Sequence, residues 1–184
     1  MNLEAKKVDM VFEVGTKEEK ISALESLANT NDPEIINKII SKLDDSDIEV
    51  RGEAFSSLVL NENNISKFLI QNLNSESNNI RGFSALVLAN RRNIDSISEI
   101  INLTKDQSGM VRACALGALG YLKAKQASKA IHSCFFNSNL EVKKSALKAV
   151  IDIGDKISSE EIKELSKEKD PEIERLLIQA KVNS

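Results

Sequence analysis

One basic column runs the length of the chain: Lys20, Arg51, Arg81, Arg112 and Lys143, closed by Glu174, at steps of 31, 30, 31, 31 and 31 residues. A period of this length marks stacked helical repeats, in which no unit buries its apolar face alone. The residue before each column member is Glu19, Val50, Ile80, Val111, Val142 or Ile173. With positions +3, +4 and +7 of the column, these form one apolar stripe of an α-helix. Four residues before the column stand Thr16, Asp47, Ser77, Ser108, Asn139 and Asp170. Each is a residue type that accepts a hydrogen bond from the first turn of a helix. Thr16 with Glu19 spells a capping box, and Pro171 suits a first helical position.

A second helix precedes each of these. Its anchors are Val8, Ile39, Leu69, Ile100, Ile131 and Ile162, followed within three or four residues by Phe12, Leu43, Leu73, Leu103, Cys134 and Leu165. The connections are too short for anything but antiparallel neighbours. The pattern predicts an all-α fold: a right-handed α-solenoid of about six antiparallel helix pairs, one repeat domain over 1–184. Each pair is an A helix, a turn and a B helix, with B helices near 17–28, 48–60, 78–90, 109–121, 140–152 and 171–181. The last A helix carries Glu160, Glu161, Lys163, Glu164, Lys167 and Glu168, as expected of a solubilising terminal cap on a complete array.

The segments Asp47-Ile48-Glu49-Val50-Arg51-Gly52-Glu53-Ala54 and Val111-Arg112-Ala113-Cys114-Ala115-Leu116-Gly117-Ala118-Leu119-Gly120 resemble the HEAT-like repeat of the phycobilisome-lyase type, whose repeats are about this short. The resemblance covers nearly the whole chain. It implies a concave face lined by the B helices. It says little about activity, because relatives of this type include chromophore lyase subunits, scaffolds, an iron-dependent hydroxylase and HEAT-like DNA glycosylases. Deoxyhypusine hydroxylase needs several His-Glu pairs. This chain has a single His, His132, followed by Ser133, which excludes that activity. With no Trp and one Tyr, the chain offers little from which to build the aromatic groove of a glycosylase.

The sequence holds no phosphate loop, no GxGxxG, no HExxH and no CxxC. Cys114, Cys134 and His132 are the soft ligand candidates, too few for a metal site. Cys134 falls in a column of Leu and Phe and reads as a core thiol. His132 lies beside a core anchor, and no nucleophile or orienting carboxylate accompanies it, so it reads as structural. The Arg column reads as structural too, each Arg meeting acidic or capping side chains of a neighbouring repeat. We therefore expect no enzyme, no cofactor and no metal. The first ten residues lack an apolar signal core and no stretch reaches membrane-span length, so the expected compartment is the cytoplasm, with no membrane partner.

The expected function is a non-enzymatic scaffold that binds a protein or peptide on its concave face. Positions −2, +1, +2, +5 and +9 of each B helix face away from the core stripe. In the first, second and fifth repeats these include charge: Glu18 and Glu25, Glu49 and Glu53, Glu141 and Lys144. In the third they are Asn79, Gly82, Phe83, Leu86 and Asn90, and in the fourth Met110, Ala113, Cys114, Gly117 and Tyr121. Gly82 and Gly117 weaken their helices by about 1 kcal/mol each relative to Ala, and close approach of another backbone is one reason to keep them. The expected partner site is Phe83, Leu86, Asn90, Met110, Ala113, Cys114, Gly117 and Tyr121, with Lys144 and Lys148 meeting an acidic end of the partner.

Charge is uneven: 7 Lys and Arg against 14 Asp and Glu in residues 1–62, then 13 against 7 in residues 63–156. That suits an oriented segment. A homodimer contact would use the same uncharged surface. One alternative is nucleic-acid or other polyanion binding by Arg91, Arg92, Lys123, Lys125, Lys129, Lys143, Lys144 and Lys148. Another is a lyase-like subunit with Cys114 or Tyr121 beside a bound cofactor.

Overall fold

A computed structural model describes residues 3–182. Among the described residues there is no strand, and twelve α-helices follow one another in six A–B pairs. The A helices are α1 (Leu3–Val14), α3 (Pro33–Ser41), α5 (Ser66–Asn72), α7 (Ile97–Leu103), α9 (Ser128–Ser133) and α11 (Ser159–Leu165). The B helices are α2 (Lys17–Leu27), α4 (Ile48–Leu60), α6 (Asn78–Asn90), α8 (Gly109–Tyr121), α10 (Leu140–Ile153) and α12 (Pro171–Val182). The B-helix starts coincide with those read from the capping column. Among the described residues no helix is long and apolar enough to cross a membrane.

Five of the six capping residues do what their chemistry suggests. Thr16 closes a full capping box with Glu19. Asp47 accepts from the Glu49 and Val50 N–H groups, Ser77 from Ile80, Asn139 from Val142 and Asp170 from Glu172 and Ile173. Ser108 differs, for its side chain makes no cap bond. Asp106 instead receives the Ser108 N–H, at 2.8 Å. In the A helices, Asp32 caps α3 ahead of Pro33, and Ser158 with Glu161 boxes α11.

The chain forms two compact units, Met1–Arg91 and Arg92–Ser184. In the first, α2, α4 and α6 pack in series, with α3 and α5 lying against them. Its core holds Leu24, Ile35, Ile39, Leu43, Val50, Ala54, Leu58, Leu69 and Leu88. In the second, α8, α10 and α12 pack in series, and Ile100, Val111, Leu119, Ile131, Phe135, Val150 and Leu165 are buried. Full burial of one such side chain contributes about 1.5–3 kcal/mol. Gly120 sets the spacing of α8 and α10: a Cβ there would sit 3.1 Å from the Ala149 Cα. That is the close backbone approach a helical glycine permits.

The Arg column has a local role beside the one the sequence suggests. Arg51 Nη1 donates to the Asp45 and Ser46 carbonyls at 2.7 and 3.1 Å. Arg81 Nη1 donates to Ser75 and Glu76 at 2.8 and 3.0 Å, and Arg112 Nη1 to Asp106 and Gln107 at 2.7 and 3.1 Å. Each guanidinium thus staples the A–B turn of its own repeat through main-chain carbonyls. Arg112 also reaches forward, its Nη2 lying 3.5 Å from Asn137 Oδ1 of the next repeat, and so do the lysines of the column. Lys20 pairs with Asp45 of the next repeat at 3.2 Å, and Lys143 pairs with Glu168. Only the arginines staple the turn, because a planar fork spans two carbonyls and a single ammonium does not.

Candidate functional site

The ten residues expected to form one surface fall in both units. Phe83, Leu86 and Asn90 lie in the first; Met110, Ala113, Cys114, Gly117, Tyr121, Lys144 and Lys148 lie in the second. Each unit presents its own hollow.

In the first unit, Phe83 and Leu86 of α6 line an apolar groove with Ile48, Arg51, Gly52 and Phe55 of α4, about 380 Å³ in volume. Ile48 stands 73% exposed. Gly52 lies on the outer face of α4 with open space where a Cβ would be, so its missing side chain widens the groove rather than admitting a neighbouring helix. Arg51 keeps its positive charge, with its guanidinium held in place by turn carbonyls. Asn90 is exposed, and its amide donates to the Leu86 carbonyl one turn back at 2.8 Å. Gly82, expected to face outward, is buried. Sequence reasoning missed Ile48 and Phe55. Phe55 stands in the core stripe, where Ala85, Leu116 and Leu147 are buried, but a Phe in that column is too large to be covered and is only half-buried.

In the second unit, Gly117 and Tyr121 of α8 line a hollow of about 680 Å³ with Arg92, Ile94, Leu122, Lys123 and Asp152. Tyr121 is 52% exposed. Met110 and Cys114 sit one turn apart on α8, their sulfurs 3.5 Å from each other, and Ala113 beside them is half-buried. Burial pushes the Cys114 thiol up to about 11, so it stays protonated near neutral pH. Cys134 is buried as a core thiol, with its Sγ 3.9 Å from the Thr104 carbonyl.

Lys144 and Lys148 do not stand ready for an acidic partner. Lys144 Nζ lies 3.0 Å from Asp170, 3.3 Å from Glu172 and 3.4 Å from Glu141. These contacts, the Asp170 hydrogen bond foremost, raise its pKa. Lys148 Nζ is 2.6 Å from Glu172. Glu141 lies on α10 itself, whereas Asp170 and Glu172 come from the cap and first turn of α12, the next B helix.

His132 also has company that local sequence did not reveal. Its Nδ1 is hydrogen-bonded to Glu161 at 2.6 Å, and its Nε2 lies 3.5 Å from Asp155. Ser128 Oγ donates to Asp155 at 2.5 Å, so the hydroxyl bonds the acid rather than the imidazole. This is the wrong order for a Ser–His nucleophile. Asp155 is held below the usual carboxylate range, chiefly by the Ser128 hydrogen bond. At Glu161 burial works in the opposite direction, but hydrogen bonds from the Ser158 N–H and His132 outweigh it. The cluster ties α9 to α11. Among the described residues no group of three His, Cys, Asp or Glu side chains is arranged to hold a metal ion.

No protein-family model matches the sequence, and no curated protein matches it. Solved structures do resemble the fold. A crystal structure of an engineered protein is 18% identical, with a TM-score of 0.60 over 100% of this chain and 98% of its own. A designed armadillo repeat protein in complex with the peptide (KR)4 is 18% identical, with a TM-score of 0.54 over 99% of both chains. Computationally designed armadillo repeat proteins for modular peptide recognition give 17% identity and a TM-score of 0.51 over 97% of this chain and 98% of theirs. Identity at this level speaks for fold alone, and the fold is that of an armadillo-like, HEAT-like α-solenoid of helical repeats.

Proposed function

We propose that this protein is a non-enzymatic scaffold whose first unit binds a protein or peptide segment carrying an apolar anchor flanked by basic residues. The observation that carries this reading is the uncovered apolar groove of Ile48, Gly52, Phe55, Phe83 and Leu86. A side chain such as Leu or Ile would fill part of it, as an anchor fills a recognition pocket. The outward columns of α2 and α4 supply the complementary charge through Glu18, Glu25, Glu49 and Glu53, of which Glu49 is paired with Lys17 at 3.0 Å. The designed armadillo protein that holds (KR)4 lends analogy to a basic segment. The 31-residue period is the ground for the finer placing among HEAT-like repeats of the phycobilisome-lyase type, and the two free cysteines support a reducing, cytoplasmic setting.

Polyanion binding by the basic middle is the weaker reading on physical grounds. Arg91 donates to the Leu58, Val59, Asn61 and Asn63 carbonyls. Lys143, Lys144, Lys148 and Lys123 are all paired with carboxylates. Four of the eight cations that would release counterions from a phosphate backbone are thus already paired.

The test is titration calorimetry with a short peptide bearing Leu or Ile between Lys and Arg residues. Wild type should bind it saturably, and Leu86→Glu should abolish binding while its helical circular dichroism and cooperative melting persist. Saturable binding that Leu86→Glu leaves unchanged, or no binding by wild type, would contradict the reading. If Leu86→Glu unfolds, Gly52→Leu, which fills the groove from an open position, serves in its place.

A further inference from the structure

Arg92, Lys123 and Gly154 stand at one register of the repeat, just past the ends of α6, α8 and α10, and all three have left-handed backbone, with φ of 54°, 53° and 71°. Glycine adopts this conformation without steric cost, whereas a residue with a Cβ gives up about 1 kcal/mol. The fifth repeat uses glycine. The third and fourth keep long cations, and both cations line the same hollow of the second unit. Strain held at two equivalent positions around one cavity points to a use for the side chains.

The rest of the hollow says what that use is. Tyr121 and Ile94 stand 52% and 67% exposed on its wall. Gly117, one turn before Tyr121 on the same face of α8, leaves the floor without a side chain. Lys123 is partnered by Asp152 at 3.1 Å. The Arg92 side chain has no hydrogen bond or ion pair among the described residues. The end of α8 does not engage it either: the Ala118, Leu119 and Gly120 carbonyls accept from the N–H groups of Leu122, Ala124 and Lys123. A guanidinium with an open fork suits one carboxylate.

We propose that this hollow binds an acidic protein segment in which Asp or Glu stands next to an aromatic residue. The carboxylate would lie on Arg92 and the ring on Gly117 against Tyr121 and Ile94. Asp152 on the rim disfavours a polyanion and offers an acceptor to a main-chain N–H of the segment. This site is separate from the groove of the first unit and opposite to it in charge preference.

Tyr121 is the sole tyrosine and the chain has no tryptophan, so intrinsic emission reports this hollow alone. The full chain is titrated with a blocked hexapeptide centred on Glu-Phe-Asp, with its Lys-substituted counterpart, and with inorganic phosphate. The acidic peptide should change Tyr121 emission saturably, and the other two should not. Arg92→Gly should weaken binding by about tenfold or more while the melting temperature holds or rises, because glycine suits the backbone there. No saturable change, an equal response to phosphate or to the basic peptide, or unchanged affinity in Arg92→Gly would overturn the proposal.

Discussion

Both units leave apolar side chains uncovered, but only the second gathers several carboxylates around single cations of its last repeats. Ile48, Phe55, Phe83 and Leu86 rim a groove with no acid or base reaching into it except the occupied Arg51. In the second unit Asp170, Glu172 and Glu141 gather on Lys144, and Glu161 and Asp155 on His132. The two share a core column, a capping column and a turn staple. What differs is the outward column of each B helix and the pairing from one repeat to the next. In a solenoid the core column maintains the stack, and the outward columns are available to evolve.

Acid should separate the units most. Asp155, Glu161, Glu164, Asp170 and Glu172 all have pKa values lowered by their partners, whereas the corresponding case in the first unit is Asp45. A carboxylate with a depressed folded pKa contributes stability that is present above its unfolded value, near 4, and is lost as pH falls through the folded value. Amide hydrogen exchange at pH 7 and pH 3 should therefore show α11 and α12 losing protection ahead of α3 and α4. Equal loss in both units would break the comparison.

The turn staple should show the two units to be alike. Arg112→Ala in the second and Arg51→Ala in the first should each cost about 2 kcal/mol, the worth of charged hydrogen bonds to carbonyls, as measured by urea unfolding. A cost confined to one unit would mean that the staple is not a shared element. A smaller effect sharpens the core comparison. Ser84 is fully buried and its hydroxyl finds no partner among the described residues, where the second unit has Ala115 in the same column. Ser84→Ala should stabilise by about 1 kcal/mol, raising the urea midpoint.

These contrasts show what a sequence displays and what it hides. Caps and apolar columns act within one helix, so the six B helices could be read from Thr16, Asp47, Ser77, Ser108, Asn139 and Asp170 almost to the residue. Partners that lie one repeat away could not. Lys144 meets Asp170 and Glu172, His132 meets Glu161, and Lys20 meets Asp45, all at separations of 25 to 29 residues. The outward face was half legible: Phe83, Leu86, Gly117 and Tyr121 do line hollows. Ile48 and Phe55 were not seen, because a helical wheel assigns a column one environment and ignores the size of the residue that fills it. Arg92 was read as one charge among eight, since its left-handed backbone has no signature in sequence unless glycine stands there.

Outward columns and the residues just past the B helices, not the shared core and caps, give each unit its binding preference. Calorimetry with the basic-apolar and the acidic-aromatic peptides against wild type, Leu86→Glu and Arg92→Gly tests it most directly. The account predicts a crossed result, in which Leu86→Glu loses only the basic-apolar peptide and Arg92→Gly only the acidic-aromatic one. Loss of both peptides in either folded variant, or of neither in both, would contradict it.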